Sequence, residues 1–212
     1  MEHIDEKLLA LRNERNAENK SIAGQENAEQ DEQKIDIYAD FIKLNGKLVP
    51  TTEMSLFGNK VKIRMPKIFQ LMPPEVAALK YPSERRPNPI YTDESTSVNL
   101  AFNYTENLVD DTEMSDFQEA MVEVIKNVQP AAEFLDEGVL EIEQKLYGYL
   151  EFISPAIDGT IYNLIYLVSF EDRALLCTFN CLEEDMEIWR MVAKAMMDSL
   201  RINIKENGGV NG

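Results

Sequence analysis

A single histidine, His3, and two cysteines, Cys177 and Cys181, are all the imidazole and thiol chemistry in this 212-residue chain. Ser-His-Asp and Cys-His catalysis need an imidazole held at hydrogen-bond distance from its nucleophile by packed neighbours. His3 lies in a charged N-terminal stretch with no such support in sequence. The cysteines are four apart in an apolar run, which on a strand puts them on one face about 13 Å apart. That is too far to share a bond or a metal, so they read as core thiols. Carboxylates are plentiful, 38 Asp and Glu against 21 Lys and Arg. Asp110, Asp111, Glu183, Glu184 and Asp185 stand at predicted helix starts, where negative charge meets unpaired N–H groups. The run DDTEMSD lacks the glycine and distal glutamate of a calcium loop. There is no Gly-x-Gly-x-x-Gly and no Gly-x4-Gly-Lys-Ser/Thr to cradle phosphate. These residues predict a chain that is not an enzyme and takes neither cofactor nor metal.

Two patterns remain for binding. Lys60, Lys62 and Arg64 alternate with Val61, Ile63 and Met65, so the basic side chains share one strand face. Arg85 and Arg86 follow in a proline-bounded loop, Tyr81–Pro89. They belong to a basic island: residues 43–86 carry 9 basic and 3 acidic side chains, while the whole chain carries a formal charge of -17. Cross-strand acids such as Glu141 and Glu143 would neutralise the stripe; alternatively it docks an acidic segment of a protein partner. Neither nucleic acid nor an anionic membrane is expected as a partner, since the overall charge repels both, and for nucleic acid the stripe also lacks interleaved aromatic residues. Tyr147, Tyr149, Tyr162 and Tyr166 either line a groove or serve as amphipathic core beneath helices.

The elements that position these residues follow from periodicity. Leu48–Phe57 and Lys60–Met65 read as a hairpin around Gly58-Asn59, ended by Pro66. Pro73-Pro74 starts a short helix that Pro82 stops. Ser97–Tyr104 is a strand. Ser115 with Gln118 has capping-box form before a helix whose apolar face is Phe117, Met121, Val124, Ile125 and Val128. Four strands, Glu133–Glu143, Leu146–Ser154, Thr160–Phe170 and Ala174–Cys181, form a meander on short connections. Glu183–Arg201 is the closing helix, with Met186, Trp189, Ala193, Met196, Met197 and Leu200 on one side. The sum is an α+β domain, an antiparallel sheet with two amphipathic helices packed on it.

Residues 1–34 form a polar helix or tether, with Ile4, Leu8 and Leu11 as a short apolar stripe able to fold back, to dock a partner, or to bind a second copy. Residues 35–206 make the domain, and 207–212 a disordered tail. The start of the chain is too charged for a secretory segment, and no run of about 18 apolar residues occurs, so a cytoplasmic location is expected.

Residues 48–202 resemble the PsbP-like superfamily, which includes DcrB-like bacterial proteins. The resemblance rests on KVKIRMP, SVNLAFNY, SDFQEAMVEVIKNV, the meander YGYLEFIS, IYNLIYLVSF and ALLCTFNC, and the helix EEDMEIWRMVAKAMMDSLRI; MPKIFQLMP is also similar to a DcrB-like phrase. It implies an α/β/α sandwich and no catalytic residues, since members act mostly in binding, scaffolding or chaperone-like roles. The expected function is a cytoplasmic adaptor or chaperone-like module that binds a protein. A self-assembling subunit, giving a homo-oligomer through the N-terminal stripe, and a small-ligand binder remain open beside it.

Overall fold

The computed structural model describes residues 35–157 and 159–203. The expectations for 1–34, including Ile4, Leu8 and Leu11, and for 207–212 fall outside the described residues.

The strict alternation after Gly58 sets the first sheet. Val61, Ile63 and Met65 are at most 1% exposed, and β3 (Val61–Pro66) pairs antiparallel with β2 (Lys47–Leu56), from Leu56↔Val61 to Thr51↔Pro66. A strand missed in sequence, β1 (Phe41–Leu44), folds back on β2. Its signal was the Asn45-Gly46 pair, whose φ values of 49° and 74° suit a tight hairpin turn.

The remaining strands build a second sheet. These are β4 (Gln70–Leu71), β5 (Ile90–Thr92), β6 (Asn99–Leu108), β7 (Glu133–Ile142), β8 (Lys145–Ala156), β9 (Gly159–Phe170) and β10 (Arg173–Leu182). Their spatial order is β4-β5-β6-β10-β9-β8-β7, antiparallel throughout. The expected meander is present, joined by the two-residue turns Glu143–Gln144 and Glu171–Asp172, all four residues at positive φ. The expected single sheet is two. The β2–β3 hairpin does not extend the large sheet; it lays its apolar face on it, and a last strand, β11 (Arg201–Ile202), completes the small sheet against β3.

Among the described residues, three α-helices cover the large sheet: α1 (Pro74–Lys80), α2 (Met114–Val128) and α3 (Met186–Asp198). Pro74 opens α1 as the sequence predicts. The α2 cap differs from expectation. Asp110 Oδ1 accepts from the Thr112 and Glu113 amides at 2.7 and 3.2 Å, and Glu113 Oε2 accepts from the Asp110 amide at 3.3 Å, so the capping box precedes a 3-10 turn rather than starting at Ser115. The helix is also rotated. Met114, Gln118 and Val122 are buried, while Val124 and Val128 are exposed. The cause is Gly148 beneath it, against which Gln118 lies flat and donates from Nε2 to the Tyr149 carbonyl at 3.3 Å. In α3 the expected stripe is buried from Trp189 onward, with Met186 half-buried, yet the helix stops at Asp198 because Arg201 joins β11.

One face of the large sheet carries α2 over Leu150, Phe152, Ile165 and Leu167, with α1 over Ile90 and Ala101. The other face holds the main core, shared with α3 and the small sheet. Helices therefore flank the sheet on both sides, as an α/β/α sandwich requires. No helix among the described residues is long and apolar enough to cross a membrane.

Candidate functional site

Polarity inside the main core centres on Glu151. It lies mid-β8 on the α3 face, where Tyr147, Tyr149 and Ile153 alternate with it, and it is fully buried. Arg190 and Lys194, one turn apart on α3, reach down to it: Arg190 Nε to Oε1 at 2.5 Å, Arg190 Nη2 to Oε2 at 3.2 Å, Lys194 Nζ to Oε2 at 2.9 Å. Tyr162 donates its hydroxyl to Oε1 at 2.9 Å. Burial alone would raise the carboxyl's pKa; the bonds from Arg190, Lys194 and Tyr162 outweigh it and hold the group below its ordinary range. Asp136 on β7 extends the cluster, 4.0 Å from Lys194 and accepting from the Tyr149 hydroxyl at 3.2 Å. Both Glu151 oxygens are thus occupied by fixed protein donors. Such a carboxylate ties α3 to the sheet and has no lone pair aimed at a substrate. Sequence reasoning passed over it, although a glutamate in phase with Tyr147 and Tyr149, and a basic i, i+4 pair on the closing helix, were the signals.

The thiols are core, as the sequence indicates, and of the two readings open for the phenols the structure shows the core one. Cys177 and Cys181 are buried on the α3 face; burial pushes the Cys177 thiol up, and pushes Cys181 up to about 12. All four meander tyrosines share that face, since Tyr149 pairs directly with Tyr166. The Tyr147 hydroxyl donates to the Leu200 carbonyl at 3.2 Å and that of Tyr166 to Asp198 Oδ1 at 2.7 Å, fastening the end of α3.

The basic stripe is neutralised, but not by the expected acids. Lys60 pairs with Glu171 and Lys62 with Glu53, the latter at 2.9 Å, all on the surface. Glu141 lies on β7 of the other sheet, and Glu143 pairs with Arg201 at 2.8 Å. Arg64 is spent on the fold: it donates to the Ile37 carbonyl and to Thr51 Oγ1, both at 2.9 Å, and stacks over Tyr38. Arg86 donates back to the Ser83 carbonyl. Arg85 is exposed and forms no ion pair among the described residues. An open cleft beside β4 contains Asp93, whose oxygens are taken by the Val98 amide and Ser95 hydroxyl. Among the described residues no three His, Cys, Asp or Glu side chains are placed to hold a metal ion.

One feature of the large sheet is not closed. β4, two residues long, forms one border and β7, ten residues long, forms the other. Every β7 residue is half-buried or exposed. The strand carries Glu133, Asp136, Glu137 and Glu141 and no base.

No family model and no curated protein matches the chain. Among solved structures it is similar to the cyanobacterial PsbP (CyanoP) of Synechocystis sp. PCC 6803, with TM-score 0.55 and 11% identity over 76% of this chain and 94% of that one. It is similar also to LpqN of Mycobacterium tuberculosis, described as involved in cell envelope biogenesis (TM-score 0.47, 12% identity, 76% and 95% covered). A third is the PA94 protein of Pseudomonas aeruginosa, a putative regulator of unknown function (TM-score 0.47, 11% identity, 73% and 99% covered). The first of these similarities shows the fold, which is PsbP-like.

Proposed function

We propose that this chain is a non-catalytic, cytoplasmic protein-binding module of the adaptor or chaperone-like kind, and that its contact surface is the free β7 edge. The observation that carries the reading is the contrast between interior and border. The charged groups in the main core, Glu151 with Arg190 and Lys194, are bonded to one another, whereas among the described residues β7 leaves a long row of backbone donors and acceptors without a neighbouring strand. Added strands are a common way for a sheet to bind protein, because main-chain hydrogen bonds supply affinity and alternate side chains supply selectivity.

The test is a photocrosslinking amino acid placed at Glu141 in the full chain, with the same group at exposed Leu79 on α1 as the control. In the source cells the reading expects a discrete protein adduct from position 141 and not from 79. No adduct from 141, or the same adduct from both positions, overturns it.

The Arg85–Arg86 loop, with Lys60 and Lys62, is a second candidate contact, favoured by the unpaired state of Arg85 among the described residues. If it contributes, Arg85→Glu with Arg86→Glu lowers the yield of the 141 adduct; an unchanged yield removes it.

A further inference from the structure

The chemistry of a partner strand follows from the register of β7, given that this edge is the contact surface proposed above. A bulge between Phe134 and Asp136 interrupts the ladder early, leaving residues 137–142 as the regular stretch. Glu137, Val139 and Glu141 stand opposite Leu150, Gly148 and Leu146, and so point to the α2 face of the sheet. Gly138, Leu140 and Ile142 stand opposite Tyr149, Tyr147 and Lys145 on the other face, where Leu140 and Ile142 pack half-buried against the main core. The Tyr149 ring fills the space above Gly138, 3.4 Å from where a Cβ would sit.

A strand laid beside this stretch must repeat its alternation. On the α2 face its side chains meet two carboxylates with an intervening valine; on the other face they meet aliphatic surface. Of the β7 acids Asp136 lies 4.0 Å from Lys194, Lys126 and Lys145 are paired with Glu123 and Asp111, and Glu137 and Glu141 have no ion pair among the described residues. A second copy of this chain fits poorly in the register centred on Val139. Antiparallel pairing of β7 with itself about Val139 sets Glu137 opposite Glu141 twice, and like charges directly opposed are destabilising.

We infer that the β7 edge takes an extended protein segment carrying Lys or Arg at alternate positions, with apolar residues between them, as an eighth strand of the large sheet. The basic residues face the α2 side against Glu137 and Glu141. The apolar ones face Leu140 and Ile142.

The test uses the isotope-labelled full chain and a capped eight-residue peptide of alternating Lys and Val, with a Glu and Val peptide as its charge-reversed control. Titration followed by amide NMR is expected to shift residues 137–142 and to weaken as salt is raised. In Glu137→Lys with Glu141→Lys, both exposed positions, affinity for the Lys peptide falls by about tenfold, the size expected for two cross-strand charge pairs reversed. The Glu peptide binds this variant better than it binds the unaltered chain. Equal binding of the Lys peptide to both forms, shifts centred elsewhere such as Asp93 and Glu94, or no binding at all overturns the inference. If the adduct from position 141 persists while the peptide fails, the partner chemistry is wrong and the edge reading stands; if both fail, the edge reading falls too.

Discussion

Glu151 shows how much one side chain depends on its partners. Its folded pKa lies below the ordinary carboxylate value, so its contribution to stability is complete above about pH 5 and is lost as pH falls through the folded value. Glu151→Gln keeps the shape and removes the charge. Urea unfolding of the two forms should therefore differ by a constant amount from neutral pH down to about 5, with the gap closing under more acid conditions. A gap independent of pH would show that packing, and not the ion cluster, sets the difference. Partner removal is expected to be costlier than removal of the carboxylate: Arg190→Ala with Lys194→Ala strands a fully buried charge, at about 3–5 kcal/mol, whereas the two cations are partly exposed and can rehydrate. At this scale strand phase made Val61, Ile63, Met65 and the two cysteines readable, while Glu151, in the same phase as Tyr147 and Tyr149, was passed over. It was not readable for Arg64, whose partners Ile37, Tyr38 and Thr51 come together only once β1–β3 are assembled.

The seating of α2 on β8 depends on a single missing methyl. A Cβ at Gly148 would come within 2.9 Å of Gln118 Cβ and 3.0 Å of Gln118 Cγ, near the root of the side chain where a rotamer change gives little relief. Gly148→Ala is expected to lift the helix and cost about 1–3 kcal/mol, as overpacking in a filled core does; calorimetry would show the loss, and Gln118→Ala in the same chain should recover part of it. An unchanged midpoint for Gly148→Ala would mean the helix is loosely held. The meander, the hairpin and the closing helix were legible because each runs long enough for its period to repeat. β4, β5 and β11 span two or three residues and have no period to detect. The turn of α2 about its axis was hidden for another reason: the apolar stripe Phe117–Val128 is real, but the glycine that admits a polar Gln118 instead belongs to a strand far along the chain.

The whole molecule carries its charge unevenly and in excess. A net -17 opposes compaction through self-repulsion, while the surface ion pairs each contribute little. The melting temperature should accordingly rise with added salt between about 10 mM, where the Debye length is about 30 Å, and about 150 mM, where it is about 8 Å. A fall over that range would mean that the pairs of Lys60, Lys62 and Arg201 outweigh the repulsion. The α+β class was visible in the order of elements, but the division into two sheets was not, because nothing local says whether a hairpin joins a sheet edge or lies across its face. That division has an effect on how the chain is made. The small sheet is finished by Arg201 and Ile202 pairing with Lys62 and Val61, residues separated by nearly the entire large sheet and α3. During translation the hairpin leaves the ribosome early with its apolar side bare, and it gains its last neighbour only after the rest of the body has been synthesised.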